Sequence, residues 1–150
     1  MKLLGRYFRY YFSIVLVSFL SMTSIMVQAE QLLKTEAYNI HYNAYNSAML
    51  SPEIAKQYGI QRSSSQGVIN IAILDKADLA VSAFLEGHAK NNLSQMRELK
   101  FKKITEGAAI YYIATFNFTD KEQLTFNLYI VPKGETQNTK LSFSQQFFVG

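Results

Sequence analysis

The sequence predicts an all-β protein: a single antiparallel β-sandwich of immunoglobulin-like type, with about seven strands and one short helix. Apolar residues recur at every second position in most segments, which is the period of a strand with one buried face. Turn-forming residues separate these segments at regular intervals. The 150 residues include no cysteine, so side-chain burial and backbone pairing, rather than disulfides, are expected to stabilise the fold.

The N-terminal segment has the anatomy of a secretory signal peptide. Lys2, Arg6 and Arg9 precede an uncharged stretch that ends in Val27-Gln28-Ala29. We expect residues 1–29 to form a signal helix that is cleaved after Ala29, and residues 30–150 to reach the periplasm as one β-sandwich domain. The alternative is an uncleaved membrane anchor, because the uncharged stretch approaches the roughly 20 residues that span a bilayer.

The charge of the chain does not indicate a nucleic-acid partner. The sequence has 15 basic and 11 acidic residues, but three of the basic residues belong to the signal segment. Without them the domain is nearly neutral and lacks the field that attracts polyanions. We therefore expect no nucleic-acid binding, and membrane contact only through the signal segment if it is uncleaved.

The strands of the domain follow from alternating apolar residues. The first strand is predicted around residues 38–43, with Tyr38, Ile40 and Tyr42 on one face. The later sets that are expected to face the core are Ile69, Ile71 and Ile73; Val81, Ala83, Leu85 and Ala89; Ala108, Ile110, Tyr112, Ala114, Phe116 and Phe118; Leu124, Phe126, Leu128 and Ile130; and Leu141, Phe143, Phe147 and Val149.

Two segments depart from simple alternation. Tyr111 and Ile113 are apolar on the face opposite to Tyr112, which predicts a central strand covered on both sides. Ile104 differs in parity from the apolar residues before it, so we expect a β-bulge near Lys102-Lys103 to restore the register. The lysines of this segment are interpreted as protection of a sheet edge.

One short helix is predicted between the first two long strands. Ser51 can cap it, Pro52 suits its first position, and Gly59 can end it. We expect this helix to plug one end of the β structure.

Residues that could form a catalytic site are sparse. A serine enzyme needs a nucleophile, a base and a group that orients the base, but the chain has two histidines and no Gly-x-Ser-x-Gly elbow. The carboxylates are scattered over turns and polar faces. We predict no catalytic residue and no cofactor, and the sequence favours a non-enzymatic protein over an enzyme. A metal-dependent or carboxylate-based hydrolase is the alternative.

The metal-dependent form of the hydrolase alternative requires a metal site, for which the sequence gives only weak support. Glu86 and His88 lie two positions apart and share one face of a predicted strand, while His41 points outward from another strand. If the two strands were neighbours, two imidazoles and a carboxylate could converge, as zinc requires. The interpretation we prefer is two unrelated surface histidines.

The segment over residues 38–46 has the most unusual composition of the chain. The candidate ligand-binding residues are Tyr38, Asn39, His41, Tyr42, Asn43, Tyr45 and Asn46, with Arg62 as a positive charge nearby. Tyrosine offers a flat apolar ring with a polar tip, and asparagine both donates and accepts hydrogen bonds. The alternative is a strand whose tyrosines pack on the core and whose asparagines are solvated or form turns.

Four segments of the sequence carry a family resemblance: residues 38–46, residues 58–63, residues 106–116 and residues 141–147. On these segments the chain resembles a small family of exported proteins of Gram-negative bacteria, known as domain of unknown function 4426. The resemblance implies an exported single domain and carries no activity. We therefore expect a non-enzymatic binding or accessory module of the cell envelope, with an envelope protein or a small ligand as partner. A structural subunit that assembles by edge-strand pairing is a further alternative.

Overall fold

The computed structural model describes residues 31–150, and the predicted signal segment and its cleavage after Ala29 lie outside this range. The chain forms two antiparallel sheets, as an all-β sandwich requires. The strands are β1 (Gln31–Lys34), β2 (Tyr38–Asn46), β3 (Gln66–Asp75), β4 (Ala83–Asn91), β5 (Met96–Glu98), β6 (Lys102–Glu106), β7 (Ala109–Asn117), β8 (Glu122–Pro132) and β9 (Thr139–Phe147). A 3-10 turn (Ser47–Met49) and helix α1 (Pro52–Tyr58) follow β2.

The five-stranded sheet has the order β1-β2-β3-β7-β6, and the four-stranded sheet has the order β5-β4-β8-β9. The prediction of about seven strands is too low, because residues 31–150 form nine. One addition is β1, which pairs with β2 from Gln31 opposite Tyr42 to Lys34 opposite Asn39. The other comes from the segment of the predicted bulge.

The predicted bulge near Lys102-Lys103 is wrong, because the chain changes sheets there. The Leu99 amide donates to the Gly87 carbonyl at 2.9 Å and so extends β5 along β4. The chain then crosses to the five-stranded sheet, where β6 pairs with β7 from Lys102 opposite Ile113. The change in apolar parity therefore marks a crossover between two sheets and not an extra residue in one strand.

The core lies between the sheets and uses the alternate residues that the sequence indicates. Phe116, Phe126 and Phe147 are buried there, and the Phe116 ring lies edge-on to the other two at 5.0 and 5.1 Å between ring centroids. Two predicted core residues are placed differently. Val149 is 40% exposed because β9 ends at Phe147, and Ala108 is exposed in the turn before β7.

Helix α1 begins and ends where the sequence predicts. The Ser51 hydroxyl accepts from the Ile54 amide at 3.3 Å, Pro52 occupies the first turn, and Gly59 ends the helix in the left-handed conformation at φ 68°. The chain from Gly59 then leads back to β3.

The predicted position of α1 at one end of the sandwich is wrong. It covers the outer face of the five-stranded sheet, where Ile54 and Tyr58 line a hollow together with Asn70 and Ile113. Ala55 and Val68 are buried but lie outside the main core cluster, as expected for a second apolar contact beneath the helix. This packing explains why β7 is covered on both faces. The strand lies between β3 and β6, and Tyr111 and Ile113 on its outer face are half-buried under α1.

Two features complete the fold. The Ala83 amide donates to the Tyr112 hydroxyl at 2.6 Å and so links the two sheets across the core. Within residues 31–150, no helix has the length and hydrophobicity needed to cross a bilayer.

Candidate functional site

Tyr38 and Tyr42 of β2 lie on the inner face of the five-stranded sheet. The Tyr42 ring packs against Phe143 with ring centroids 4.7 Å apart, and Tyr38 packs against the core and donates its hydroxyl to Glu135 at 2.8 Å. Both tyrosines thus join the five-stranded sheet to the opposite side of the sandwich. For these two residues the structure favours the packing interpretation over a role in binding.

Asn46 and Arg62 hold the turn that follows β2. The Asn46 Oδ1 accepts from the Ala48 amide at 2.9 Å, and its Nδ2 donates to the Ser64 carbonyl at 2.8 Å. The Arg62 Nη2 donates to the Ala48 carbonyl at 2.9 Å. These contacts give both side chains a structural role, and the role of Arg62 as a charge for a ligand stays a prediction.

The remaining candidates lie on the outer face of the five-stranded sheet, because they alternate with the buried Ile40 and Ala44. Asn39 accepts from the Lys76 ammonium at 3.3 Å at one end of the face. His41 lines a small hollow of about 170 Å³ with Tyr111. Asn43 lies directly opposite Asn70 of β3, and Tyr45 follows two residues later on the same face.

Tyr45 contributes to a groove between α1 and this outer face, which we call the tyrosine groove. Its polar and aromatic lining consists of Tyr45 from β2, Tyr58 from α1, Asn70 from β3, Glu106 from β6 and Tyr111 from β7. Leu50, Ile54, Ile60 and Ile113 form its apolar walls. The groove measures about 300 Å³, at the small end of the range for ligand sites.

Glu106 is held at the rim of the tyrosine groove by the last turn of α1. The Tyr58 hydroxyl and the Gln57 amide group, the latter at 3.0 Å, both donate to the Glu106 Oε1. The hydrogen bond to Glu106, followed by burial and the nearby charge, raises the pKa of Tyr58 to about 12. Burial also raises the pKa of Tyr45. Both hydroxyls are therefore protonated at neutral pH.

Asn70, which lines the groove, carries a buried and unsatisfied hydrogen-bond acceptor. Its Oδ1 is buried and accepts no hydrogen bond from any group in the described part of the chain. The residue lies in the middle of β3, opposite Ile113 of β7 on one side and Asn43 of β2 on the other. A buried carbonyl oxygen without a partner costs stability, and Asn70 is the lining residue of the groove that carries this cost.

The predicted metal trio is not assembled. His41 lies on β2 of the five-stranded sheet, whereas Glu86 and His88 lie on β4 of the four-stranded sheet. The two strands are not neighbours, which is the condition the metal site required. Within residues 31–150, no group of three or more histidine, aspartate or glutamate side chains is placed to hold a metal ion.

A second hollow lies on the four-stranded sheet, and Glu86 and His88, two members of the predicted metal trio, are both in its lining. It measures about 680 Å³ and is lined in part by Phe84, His88, Met96 and Tyr129. Phe84 is 64% and Met96 66% exposed. A further sequence signal for this hollow was Phe84, a large apolar residue on the strand face opposite to the core residue Leu85.

The lysines of the β5–β6 segment lie near β6, which is an edge strand of its sheet. The Lys102 ammonium donates to the Tyr58 carbonyl at 3.3 Å, and the Lys103 ammonium donates to the Ser82 hydroxyl at 2.8 Å. The edge location agrees with the predicted protective role.

The fold and the groove define a small β-sandwich protein with one helix-covered face. Comparison with known families is more specific: residues 33–150 match the family described as Domain of unknown function (DUF4426), and the chain belongs to that family. A DUF4426 family protein from Pseudomonas aeruginosa, solved as a crystal structure, is 34% identical. The match covers 83% of this chain and 98% of that chain, with a TM-score of 0.74. No curated protein matches the chain.

More distant structures share the fold alone. FetP of uropathogenic Escherichia coli strain F11, solved after expression in the periplasm of E. coli, is 8% identical with a TM-score of 0.57. The match covers 80% of this chain and 94% of that chain. A copper-bound variant of FetP gives the same identity and TM-score over 79% of this chain and 95% of that chain.

Proposed function

We propose that this chain is an exported, periplasmic and non-enzymatic binding module of the cell envelope, and that it holds a small ligand in the tyrosine groove. The observation that carries the proposal is the groove itself, with its mixed aromatic, aliphatic and polar lining and the buried, unsatisfied Oδ1 of its lining residue Asn70. Export is supported by the signal anatomy of residues 1–29.

Binding is favoured over catalysis by the chemistry of the groove. Nucleophilic catalysis needs a hydroxyl that gives up its proton to a base, whereas the pKa values of the Tyr58 and Tyr45 hydroxyls are raised. Glu106 already accepts two hydrogen bonds on Oε1. Such groups orient a ligand more readily than they activate a nucleophile.

The copper of the FetP variant is not proposed for this chain. At 8% identity the two proteins share a fold and no established chemistry. The separation of His41 from Glu86 and His88 removes the donor set that the sequence suggested. The groove therefore supports an organic ligand better than a metal ion.

The site is tested by a ligand screen on ¹⁵N-labelled residues 30–150. A mixed set of neutral aromatic, anionic, sugar and cationic compounds is added while amide shifts are recorded. We expect the responding amides to cluster on α1 and on the groove residues of β2, β3 and β7, and Tyr111→Ala to weaken that response. The matched control is Tyr129→Ala, which removes a tyrosine from the other sheet. Shifts that cluster elsewhere, or that survive Tyr111→Ala, would contradict the site.

Export is tested separately with the full chain. Expressed in a Gram-negative host and recovered from the periplasmic fraction, the protein should have the intact mass of a chain that begins at Glu30. Recovery from the cytoplasm alone, or an uncleaved protein in the membrane fraction, would contradict the proposed location.

A second candidate function, pairing with the extended strand of an envelope protein, is favoured by the edge of β4. β5 pairs only with His88–Lys90, and Leu99 reaches Gly87, so β4 before Gly87 has no strand on that side within the described chain. This stretch adjoins the second hollow with its exposed Phe84 and Met96.

A photo-crosslinking residue tests this second candidate in intact cells. Placed at position 84, it should give one discrete protein adduct that is lost when Met96→Lys is introduced. The control places the same residue at position 144, exposed on β9. Equal labelling from both positions would rule out a specific strand-pairing site.

A further inference from the structure

We propose that the tyrosine groove binds a primary alkylammonium group, with the ammonium between Glu106 and Asn70 and the alkyl chain against the aliphatic wall. This inference rests on the proposed function, because it names the ligand class of the same groove. Three features of the lining carry it: its charge, its aromatic faces and its unsatisfied acceptor.

The charge of the groove selects a cation. Glu106 is the one charged residue in the described lining. Both of its hydrogen bonds end on Oε1, so Oε2 accepts none from residues 31–150. Lys102 lies on the same face of β6, but its ammonium donates to the Tyr58 carbonyl and lines a neighbouring hollow instead. A positively charged ligand would therefore find a carboxylate oxygen that no protein cation occupies.

The aromatic lining also favours a cation. Tyr45, Tyr58 and Tyr111 border the groove from three different elements. The faces of tyrosine rings carry negative charge density and attract ammonium groups. Tyrosine hydroxyls ionise only near pH ~10, and the pKa values of Tyr58 and Tyr45 are raised further, so the rings add no competing formal charge at neutral pH.

The Asn70 acceptor distinguishes among cations. Its Oδ1 is buried without a donor from the described chain, so the side chain turns toward the groove to accept a hydrogen bond from a ligand. A primary ammonium carries three N–H donors for this role, whereas a quaternary ammonium carries none. Leu50, Ile54 and Ile113 offer an apolar surface on which an alkyl chain can lie. The combination fits a free alkylamine or the side chain of a lysine residue.

Three probes of similar length separate charge from hydrogen bonding in an NMR titration of residues 30–150. n-Butylammonium carries both the charge and the donors, butan-1-ol keeps a donor without the charge, and butyltrimethylammonium keeps the charge without a donor. We expect n-butylammonium to bind at least ~10-fold more tightly than either of the others, as loss of a charged hydrogen-bonding partner implies. Equal affinity for butan-1-ol would overturn the assignment of the ligand as a cation, and equal affinity for butyltrimethylammonium would overturn the role of Asn70.

Matched variants test the residues. Glu106→Gln keeps an acceptor for Tyr58 but removes the charge, and should weaken n-butylammonium binding at least ~5-fold. The control Glu135→Gln alters a similar tyrosine-bonded carboxylate outside the groove and should leave the affinity unchanged. Tyr45→Leu, which keeps apolar volume without the aromatic face, should also weaken binding and serves if Glu106→Gln does not fold. Unchanged affinity in a folded groove variant would contradict the proposal.

Further probes identify the source of the ammonium and separate the two proposals. Tighter binding of Nα-acetyl-lysine methylamide than of 1,5-diaminopentane would assign a lysine side chain, and the reverse order would assign a free amine. If anionic or neutral compounds bind the groove and n-butylammonium does not, the ligand class is wrong while the site stands. If no compound binds the groove, both the ligand class and the proposed function fail.

Discussion

Replacement of Asn70 by leucine should stabilise the protein in the absence of ligand. The Asn70 Oδ1 is buried in the tyrosine groove without a partner from the described chain. An unsatisfied buried acceptor costs about 1–3 kcal/mol, and leucine removes that acceptor while filling apolar space beside Ile113. Since the side chain as a whole is only half-buried, we expect a gain near the lower half of that range, about 1–2 kcal/mol.

The control for this substitution is Asn43→Leu. Asn43 lies directly opposite Asn70 on the same face of the sheet, so the two variants share the change in β propensity and differ in the unsatisfied acceptor. Urea unfolding followed by circular dichroism gives both free energies of unfolding, with an unchanged slope as the sign of two-state behaviour. In thermal unfolding the difference should be about 4 °C in Tm for each kcal/mol.

A lower stability of Asn70→Leu than of Asn43→Leu would contradict this expectation. It would mean that the Asn70 oxygen already accepts a hydrogen bond in solution and is not an unsatisfied acceptor. A stabilised Asn70→Leu that also loses n-butylammonium binding would show the exchange of stability for function that binding sites make.

Three other predictions concern stability. Gly67→Ala should cost about 3 kcal/mol in urea unfolding, because a Cβ there would lie 2.2 Å from the Phe116 ring. Tyr58→Phe should remove a titration near pH 12 from the ultraviolet absorbance, since the raised pKa of Tyr58 is about 12. The unfolded tyrosine ionises first, near pH ~10, so the stability that Tyr58 contributes should fall between these two values. Glu122→Gln should cost about 2 kcal/mol at pH 7, because Glu122 accepts from Arg97 at 2.7 Å.

The prediction for Glu122 includes a pH dependence of known sign. Burial raises its pKa, but hydrogen bonds from Asn91, the Thr119 backbone and Arg97, with the charge of Arg97, lower the pKa by more. Stability from Glu122 is therefore complete above its unfolded pKa, near ~4.3, and is lost as the pH falls through the lower folded value. The cost of Glu122→Gln should shrink in the same acidic range.

Each of these three has a contrary outcome. Gly150→Ala is the control for Gly67→Ala, because no atom lies within 4 Å of its Cβ, and equal effects at both glycines would contradict the packing of Phe116. An unchanged absorbance titration near pH 12 in Tyr58→Phe would contradict the hydrogen bond to the carboxylate of Glu106. A cost for Glu122→Gln that is the same at pH 3 and pH 7 would contradict the ion pair with Arg97.

The sequence predicts the sandwich because each strand carries its own evidence. The alternation of Leu124, Phe126, Leu128 and Ile130 is a local pattern, and all four are buried on the inner face of β8. The caps of α1 are local in the same way. The crossover after β5 could not be distinguished from a bulge, because both shift the apolar parity and only the pairing partner differs.

The candidate site was predicted in part. Tyr45 was among the candidates, yet Tyr58, Asn70, Glu106 and Tyr111 come from four other elements whose proximity depends on strand order and on the position of α1. Composition marked β2 as unusual but could not separate Tyr42, which faces the core, from Tyr45, which faces the groove under α1. That distinction depends on which face of the sheet the helix covers.

Intermolecular nuclear Overhauser effects between n-butylammonium and side-chain protons of the protein decide whether the tyrosine groove holds the ligand. We expect contacts from the methylene next to the ammonium to the Tyr45 and Tyr111 rings, and from the alkyl chain to the Ile113 methyl groups, all lost in Asn70→Leu. Contacts from the same ligand to Phe84 or Met96, with none to the three groove residues, would place the binding site on the four-stranded sheet and exclude the tyrosine groove.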